Sequence, residues 1–310
     1  MSACLGLDTS NYTTSAAIWQ EGHMVQVKRL LPVRQGELGL RQSDAVFHHV
    51  RQLPELLEEL RGQEDAPLTA IAASDRPQQT TGSYMPCFLV GWGAARELAA
   101  ALRVPVYRFT HQQGHVAAAL YGAGCTDWLG REFLAFHVSG GTTDALLVRP
   151  DREEILSCET VGRSLDLKAG QLIDRVGGML GLPFPAGPAL ETLAGQASGV
   201  YRPRPSLEGG SCHLSGVENQ CRAMKDKGAP DAEVALFCLR SVQTALEGMT
   251  EALLAAYGTL PIVFAGGVMS NGLLRRALEE KFGGRFAPPA FSADNAAGIA
   301  LLGSLREERH

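Results

Sequence analysis

His111 and His115 stand four residues apart in the stretch "THQQGHVAAAL", residues 110–120. On a helix that spacing stacks both imidazoles on one face, about one turn apart. Imidazole is a common metal ligand, but two rings do not fill a coordination shell. The pair is therefore either part of a metal site whose remaining ligand comes from elsewhere in the chain, or two polar residues that share a helix face. The short-spaced zinc proteases place a Glu between their histidines as general base. Here Gln112, Gln113 and Gly114 intervene, and a glutamine cannot accept that proton, so proteolysis is disfavoured.

Two glycine-rich stretches are candidates for holding phosphate. In "HVSGGTTDALL" two glycines leave the backbone N–H groups of Gly140 to Thr142 open to an anion, among three hydroxyl side chains. In "VFAGGVMSNG" an apolar run ends in Gly266-Gly267, and Asn271 is expected one helical turn in, with an amide able to pair with a purine edge. The bland alternatives are a plain hairpin turn and the strand–glycine–helix turn common in α/β proteins. A third candidate is Asp174, a carboxylate interrupting an apolar helical stripe just before the stiff "PFPAGPA" loop. It could accept from a ribose diol, or it is a surface carboxylate paired with Arg175 or Lys168.

The elements that must position these groups repeat. "CLGLDTS", "TTSAAIWQ" and "HMVQVKRLL" read as three strands, and "REFLAFHVSGG", "TTDALLVRP" and "EEILSCETV" repeat the plan later in the chain. The duplication predicts an α/β protein of two related lobes, each opening on a β-meander, with a hinge and a cleft between them. The expected boundaries are 1–129, which includes the His-x-x-x-His helix, and 130–310, which holds the nucleotide-binding segments. Amphipathic helices are expected at "VRQLPELLEELRG", "FLVGWGAARELAAALR" and "LDLKAGQLIDRVGGMLGL". The longest, "DAEVALFCLRSVQTALEGMTEALLAAYG", should close on Gly258, and a last helix should open at Ser292 or Asp294.

With 310 residues, 45% hydrophobic and 20% charged, the chain has the composition of an ordinary globular protein. It has no apolar run long enough for a membrane span, and its first residues lack the basic region of a signal peptide. Seven scattered cysteines without a CxxC pair fit reduced thiols in a cytoplasm and act as core filler. A net charge of −5 argues against an unaided nucleic-acid grip, so any RNA contact needs a local patch, for which Arg202, Arg204, Arg275 and Arg276 are candidates. His49, at the start of a helix, is a weaker functional candidate, and His137 reads as a core residue.

The stretches "LGLDTS", "HQQGH", "VSGG", "AGQLIDRVGGMLGLPFPAGPALETLA", "AGGVMSNGLLR" and "ADNAAGIA" occur in the order and spacing of one family. The chain resembles the TsaD-type threonylcarbamoyl-adenosine synthases, formerly called O-sialoglycoprotein endopeptidases, over nearly its whole length. The resemblance implies the two-lobed actin/Hsp70/sugar-kinase-like (ASKHA) α/β fold around a central cleft. It implies a cytoplasmic transferase that passes a threonylcarbamoyl group from threonylcarbamoyl-adenylate to the exocyclic amine of an adenosine in tRNA. It places one divalent metal, iron or zinc, on His111, His115 and Asp294, and catalysis through that metal. Contacts to the adenine nucleotide fall on Ser139, Gly140, Gly141, Thr142, Asp174, Gly187 and Asn271. It implies as partners tRNA and a homodimer or a heterodimer with a family paralogue, and no membrane.

The chain departs from the family pattern at several points. Tyr12 and Thr13 replace an adjacent acidic pair, Thr142 a histidine, Gln113 a glutamate and Glu218 a lysine, and "RPQQTTGSYMP" replaces a Gly-Pro-Gly region. These changes raise a second reading, a non-catalytic or repurposed paralogue that binds metal and nucleotide as the partner of an orthodox member. A kinase or ATPase is disfavoured, because Asp8 is the only carboxylate left in the first turn.

Overall fold

The structure is a computed structural model that describes residues 3–10, 12–32, 40–293 and 295–309. In chain order the first elements are β1 (Ala3–Thr9), β2 (Thr13–Gln20), β3 (His23–Leu30), α1 (Gln42–Gln63), β4 (Ala70–Arg76), α2 (Phe88–Leu102), β5 (Val106–Thr110) and α3 (His111–Gly122). There follow β6 (Phe133–Val138), β7 (Thr143–Pro150), β8 (Leu156–Arg163), α4 (Ala169–Met179), α5 (Gly187–Ala194), β9 (Ser206–Glu208) and β10 (Ser211–His213). The last are α6 (Ser215–Asp226), α7 (Asp231–Tyr257), β11 (Ile262–Ala265), α8 (Gly272–Phe282), β12 (Arg285–Phe286), α9 (Pro289–Ser292) and α10 (Ala297–Glu307).

The chain divides into two compact units. The first comprises Met1–Arg131, Arg149–Cys158 and Ala290–His310; the second comprises Glu132–Val148 and Glu159–Pro289. Among the described residues each unit is built on a five-stranded sheet, in the order β3-β2-β1-β4-β5 in one and β8-β7-β6-β11-β12 in the other. β1 runs antiparallel to β2 and parallel to β4; β6 runs antiparallel to β7 and parallel to β11. The duplicated meander expected from sequence is thus the start of each sheet.

In the first unit every residue of β1 is buried, because both faces of the sheet are covered. Leu5, Leu7 and Ile71 pack with Leu53, Leu56 and Leu60 of α1 and Ala95 and Ala99 of α2. The other face takes α10, which lies so close that a Cβ on Gly6 would sit 2.4 Å from the backbone nitrogen of Ala300. Gly298 makes the same close approach to α3, where a Cβ would be 1.9 Å from the carbonyl of Gly114. Both contacts need glycine, and together they fix α3 against the sheet through α10.

In the second unit β6, β7 and β11 pack beneath α4, α5, α7 and α8, with Phe136 stacked on Phe264 and Phe264 on Phe286 at 5.0 Å each. The long helix closes on Gly258 at φ +86°, as its sequence predicted. The last helix differs from expectation. It opens at Ala297, whose N–H is accepted by Asn295 Oδ1 at 3.0 Å, whereas Ser292 ends the short α9. Asp294 lies outside the described residues. All the cysteines except Cys158 are buried. No helix among the described residues is long and apolar enough to cross a membrane.

Candidate functional site

In the first unit α3 begins at the histidine itself. Thr110 is the N-cap of a reciprocal capping box: its hydroxyl accepts the N–H of Gln113 at 3.1 Å, and Gln113 Oε1 accepts the N–H of Thr110 at 2.6 Å. His111 is therefore the first helical residue and His115 sits one turn on. Their rings meet edge to face with centroids 4.2 Å apart, and the two Nε2 atoms face each other at 2.8 Å. The other nitrogen of His111, Nδ1, lies 2.7 Å from Oδ2 of Asp8 near the end of β1. Asp8 is fully buried, and its second oxygen has no hydrogen-bond partner among the described residues.

Two ring nitrogens 2.8 Å apart either share one proton or together face a cation. The donor set fits a borderline divalent metal such as iron or zinc, for which imidazole nitrogen is a preferred ligand. Among the described residues no group of three His, Cys, Asp or Glu side chains is arranged to hold a metal ion, and the expected third ligand, Asp294, is outside them.

Gln113 is fully buried and turned to other work. Its amide nitrogen donates to the carbonyl of Leu156 at 2.7 Å and to Glu154 Oε2 at 3.2 Å. Glu154 also accepts from Gln79 at 2.6 Å and Arg76 at 3.3 Å, and Gln79 accepts the N–H of Cys158 at 2.6 Å. The departure from Glu at position 113 therefore has a local reason: a carboxylate there would face Glu154. His49, also buried, bonds through Nδ1 to Thr14 Oγ1 at 2.8 Å. Burial pushes its pKa down to about 4, against the Ser10 carbonyl and the Asp8 carboxylate, which favour the charged ring.

The second unit presents backbone. The loop after β6 is folded on itself: Ser139 N–H donates to the Thr142 carbonyl at 2.7 Å and Ser139 Oγ accepts the N–H of Thr142 at 3.1 Å. The expectation of an open N–H at Thr142 is thus corrected, because the serine hydroxyl takes it. The N–H groups of Gly140 and Gly141 donate to no described residue, and a Cβ on either glycine would meet open space. The first turn of α4 abuts this loop, since the N–H of Gly170 donates to the Ser139 carbonyl at 3.2 Å and a Cβ there would lie 2.6 Å from the nitrogen of Gly140.

Asp174, further along α4, pairs with neither Arg175 nor Lys168. Its Oδ1 accepts the N–H of Ala186 at 2.8 Å, just before Gly187 opens α5. Asn271 is the N-cap of α8, not one turn inside it, because a 3-10 turn (Gly267–Ser270) comes first. Its Oδ1 accepts the N–H groups of Leu273 and Leu274, both at 3.1 Å, which leaves the amide nitrogen as the group to offer a ligand. Glu191 of α5 accepts the N–H of Gly272 at 2.8 Å, and Gly266, at φ +101°, lies against the carbonyl of Val138. Contacts thus run from the glycine loop to α4, from α4 to α5, from α5 to α8, and back to β6, so the expected positions share one end of this sheet. Glu218 pairs with Arg175 at 3.0 Å and Arg222 at 3.4 Å.

Sequence reading missed Asp8 as the partner of His111 and the Gln113–Glu154–Gln79 cluster. The signal for Asp8 was present, the one charged residue in a fully buried strand. The cluster had no local signal, because its members come from three separate segments.

Residues 35–301 match the family model described as tRNA N6-adenosine threonylcarbamoyltransferase. A protein of that name from Bacillus licheniformis is 33% identical, the alignment spanning 98% of this chain and 92% of the relative. Its namesake from Methanopyrus kandleri is 31% identical over 87% of this chain and 77% of the relative. Among solved structures, full-length HypF in its phosphate- and nucleotide-bound form superposes with a TM-score of 0.61 at 13% identity, covering 99% of this chain and 46% of that one. The ROK hexokinase from Thermus thermophilus superposes with a TM-score of 0.51 at 16% identity, covering 99% of this chain and 100% of that one. These likenesses show the fold, the actin/sugar-kinase-like α/β class expected from sequence.

Proposed function

The chain belongs to the tRNA N6-adenosine threonylcarbamoyltransferase family, and from that premise we propose that it transfers a threonylcarbamoyl group from its adenylate to the exocyclic amine of an adenosine in tRNA. The amine nitrogen attacks the carbamoyl carbon, the bond from that carbon to the phosphate oxygen breaks, AMP leaves, and the nitrogen gives up a proton. The observation that carries the reading is the convergence of His111 and His115 on one point through their Nε2 atoms. His111, His115 and Asp294 would hold one divalent cation, iron or zinc. When bound there, it would supply Lewis-acid stabilisation of the carbamoyl group.

This chain's own groups do the rest. The N–H groups of Gly140 and Gly141 donate to the phosphate of the leaving nucleotide, with Ser139 and Thr142 shaping the loop. Asp174 offers its remaining oxygen to the ribose hydroxyls, Gly187 leaves room beside it, and Asn271 offers its amide nitrogen to the purine. The reading as a non-catalytic paralogue is not favoured. Two of the departures that prompted it have side-chain partners inside the protein: Gln113 in Glu154 and Glu218 in Arg175. The cytoplasm, where unmodified tRNA is found, is the compartment this activity requires, and association with a second copy or a paralogue is part of the proposal.

The test is purification with metal analysis, then incubation with threonine, bicarbonate, ATP, an adenylate-forming partner enzyme and unmodified tRNA. N6-threonylcarbamoyladenosine should appear in the digested tRNA. His111→Ala should lose both bound metal and product. Absence of product under conditions in which the Bacillus licheniformis relative forms it overturns the reading.

A further inference from the structure

Asp8 is a fully buried carboxylate whose side-chain hydrogen bonding, among the described residues, comes from one imidazole, at 2.7 Å. A buried charge is costly unless it is paired, so its counter-charge must be found. No Lys or Arg among the described residues pairs with it, and His49, with its pKa pushed down to about 4 by burial, is neutral at pH 7. What faces Asp8 is His111, and what lies beyond His111 is the point where the two Nε2 atoms meet.

Proton counting then fixes the ring. A carboxylate only accepts, so the nitrogen 2.7 Å from it carries the proton: Nδ1–H donates to Asp8. In the neutral ring that leaves Nε2 as a lone pair directed at its counterpart on His115. The carboxylate also stops the His111 ring from turning over, as outer partners of metal-bound imidazoles do. The positive charge that answers Asp8 is thus placed on the far side of His111, through the ring.

We infer that Asp8 is a positioning residue that sets the tautomer and orientation of His111 and raises the affinity of the His111–His115 pair for a divalent cation. The inference rests on the metal reading above and deepens it. It also gives the first turn a role other than phosphate or Mg²⁺ handling: its one remaining carboxylate serves the histidines.

The experiment uses Zn²⁺ as the probe. Competition with a chromogenic chelator gives the Zn²⁺ affinity of wild type, Asp8→Asn and His111→Ala, and ¹⁵N-histidine NMR reports which nitrogen of His111 bears hydrogen. Wild type should carry the proton on Nδ1, and the nearly isosteric Asp8→Asn should bind Zn²⁺ about 10- to 100-fold more weakly. A merely structural role for Asp8 would lower the melting temperature without moving the affinity or the tautomer. An Asp8→Asn affinity within twofold of wild type, or a wild-type His111 protonated on Nε2, overturns the inference. If Asp8→Asn does not fold, the wild-type tautomer decides alone. The two levels separate cleanly: His111→Ala keeping full Zn²⁺ affinity sinks the metal reading itself. Loss of Zn²⁺ in His111→Ala with retention in Asp8→Asn sinks only the role of Asp8.

Discussion

The two units are built on the same strand plan, with β6 in the place of β1 and β11 in the place of β4, yet they offer opposite kinds of chemistry. At the end of β1 and the start of α3 the first unit presents side chains: a buried carboxylate and two imidazoles. At the corresponding end of β6 the second unit presents backbone, because glycines stand where side chains would block approach. One unit is therefore sensitive to changes of charge and hydrogen bonding, the other to added atoms. A repeated scaffold fixes where a site can form without fixing what it is made of.

This contrast can be broken most sharply at Gly266. Its φ is +101°, and a Cβ there would lie 2.2 Å from the Val138 carbonyl oxygen. Gly266→Ala should therefore cost about 3 kcal/mol or more, read as a fall in the urea midpoint. A variant as stable as wild type would show that the second unit tolerates added atoms after all.

In the first unit, acid should do comparable damage without any mutation. His49 titrates near 4 when folded and near 6.5 when unfolded, so the unfolded chain takes up a proton that the folded chain refuses. Its contribution is absent above about pH 6.5 and destabilises progressively down to about pH 4, by of order 3 kcal/mol in all. Urea unfolding at pH 7 and pH 4.5 should show the loss in wild type, and His49→Gln should flatten it.

Gln113→Glu should cost about 2 kcal/mol, since it sets a carboxylate against Glu154 and removes the donor to Leu156. Glu154→Gln in the same chain should restore part of that, and a double-mutant cycle without coupling would break the account. Asn271→Ala should cost about 1 kcal/mol as a lost helix cap and should also weaken adenine-nucleotide binding in calorimetry. At the small end, Gly141→Ala should leave stability unchanged, because its methyl meets open space, while reducing nucleotide affinity. The difference between Gly266 and Gly141 separates glycines needed for folding from one needed for approach.

Much of this was legible in the chain. Short runs rich in apolar and β-branched residues, bounded by polar turns, marked β1, β2, β6 and β7, and β2 spans the residues read as its strand, Thr13–Gln20. The four-residue spacing put His111 and His115 on one face, and the rings do meet. The fold class and family followed from motifs spread along nearly the whole length. Less legible were the ends of elements. Asn271 was expected inside a helix and caps one, because the 3-10 turn before it has no periodicity to read. The pairing of Asp174 with Arg175 or Lys168 is replaced by a bond from the backbone of a loop twelve residues on, which no local pattern announced.

The sequence by itself determined the strands, the helices, the duplicated plan and the side-chain types available for chemistry, since these depend on local periodicity and on residue identity. Tertiary structure alone decided that a carboxylate on the first strand, 103 residues from its imidazole, orients that ring, and that the last helix covers the first sheet. Such contacts depend on glycine-sized clearances between distant segments and on a buried charge seeking its partner. Neither leaves a periodic trace in the chain.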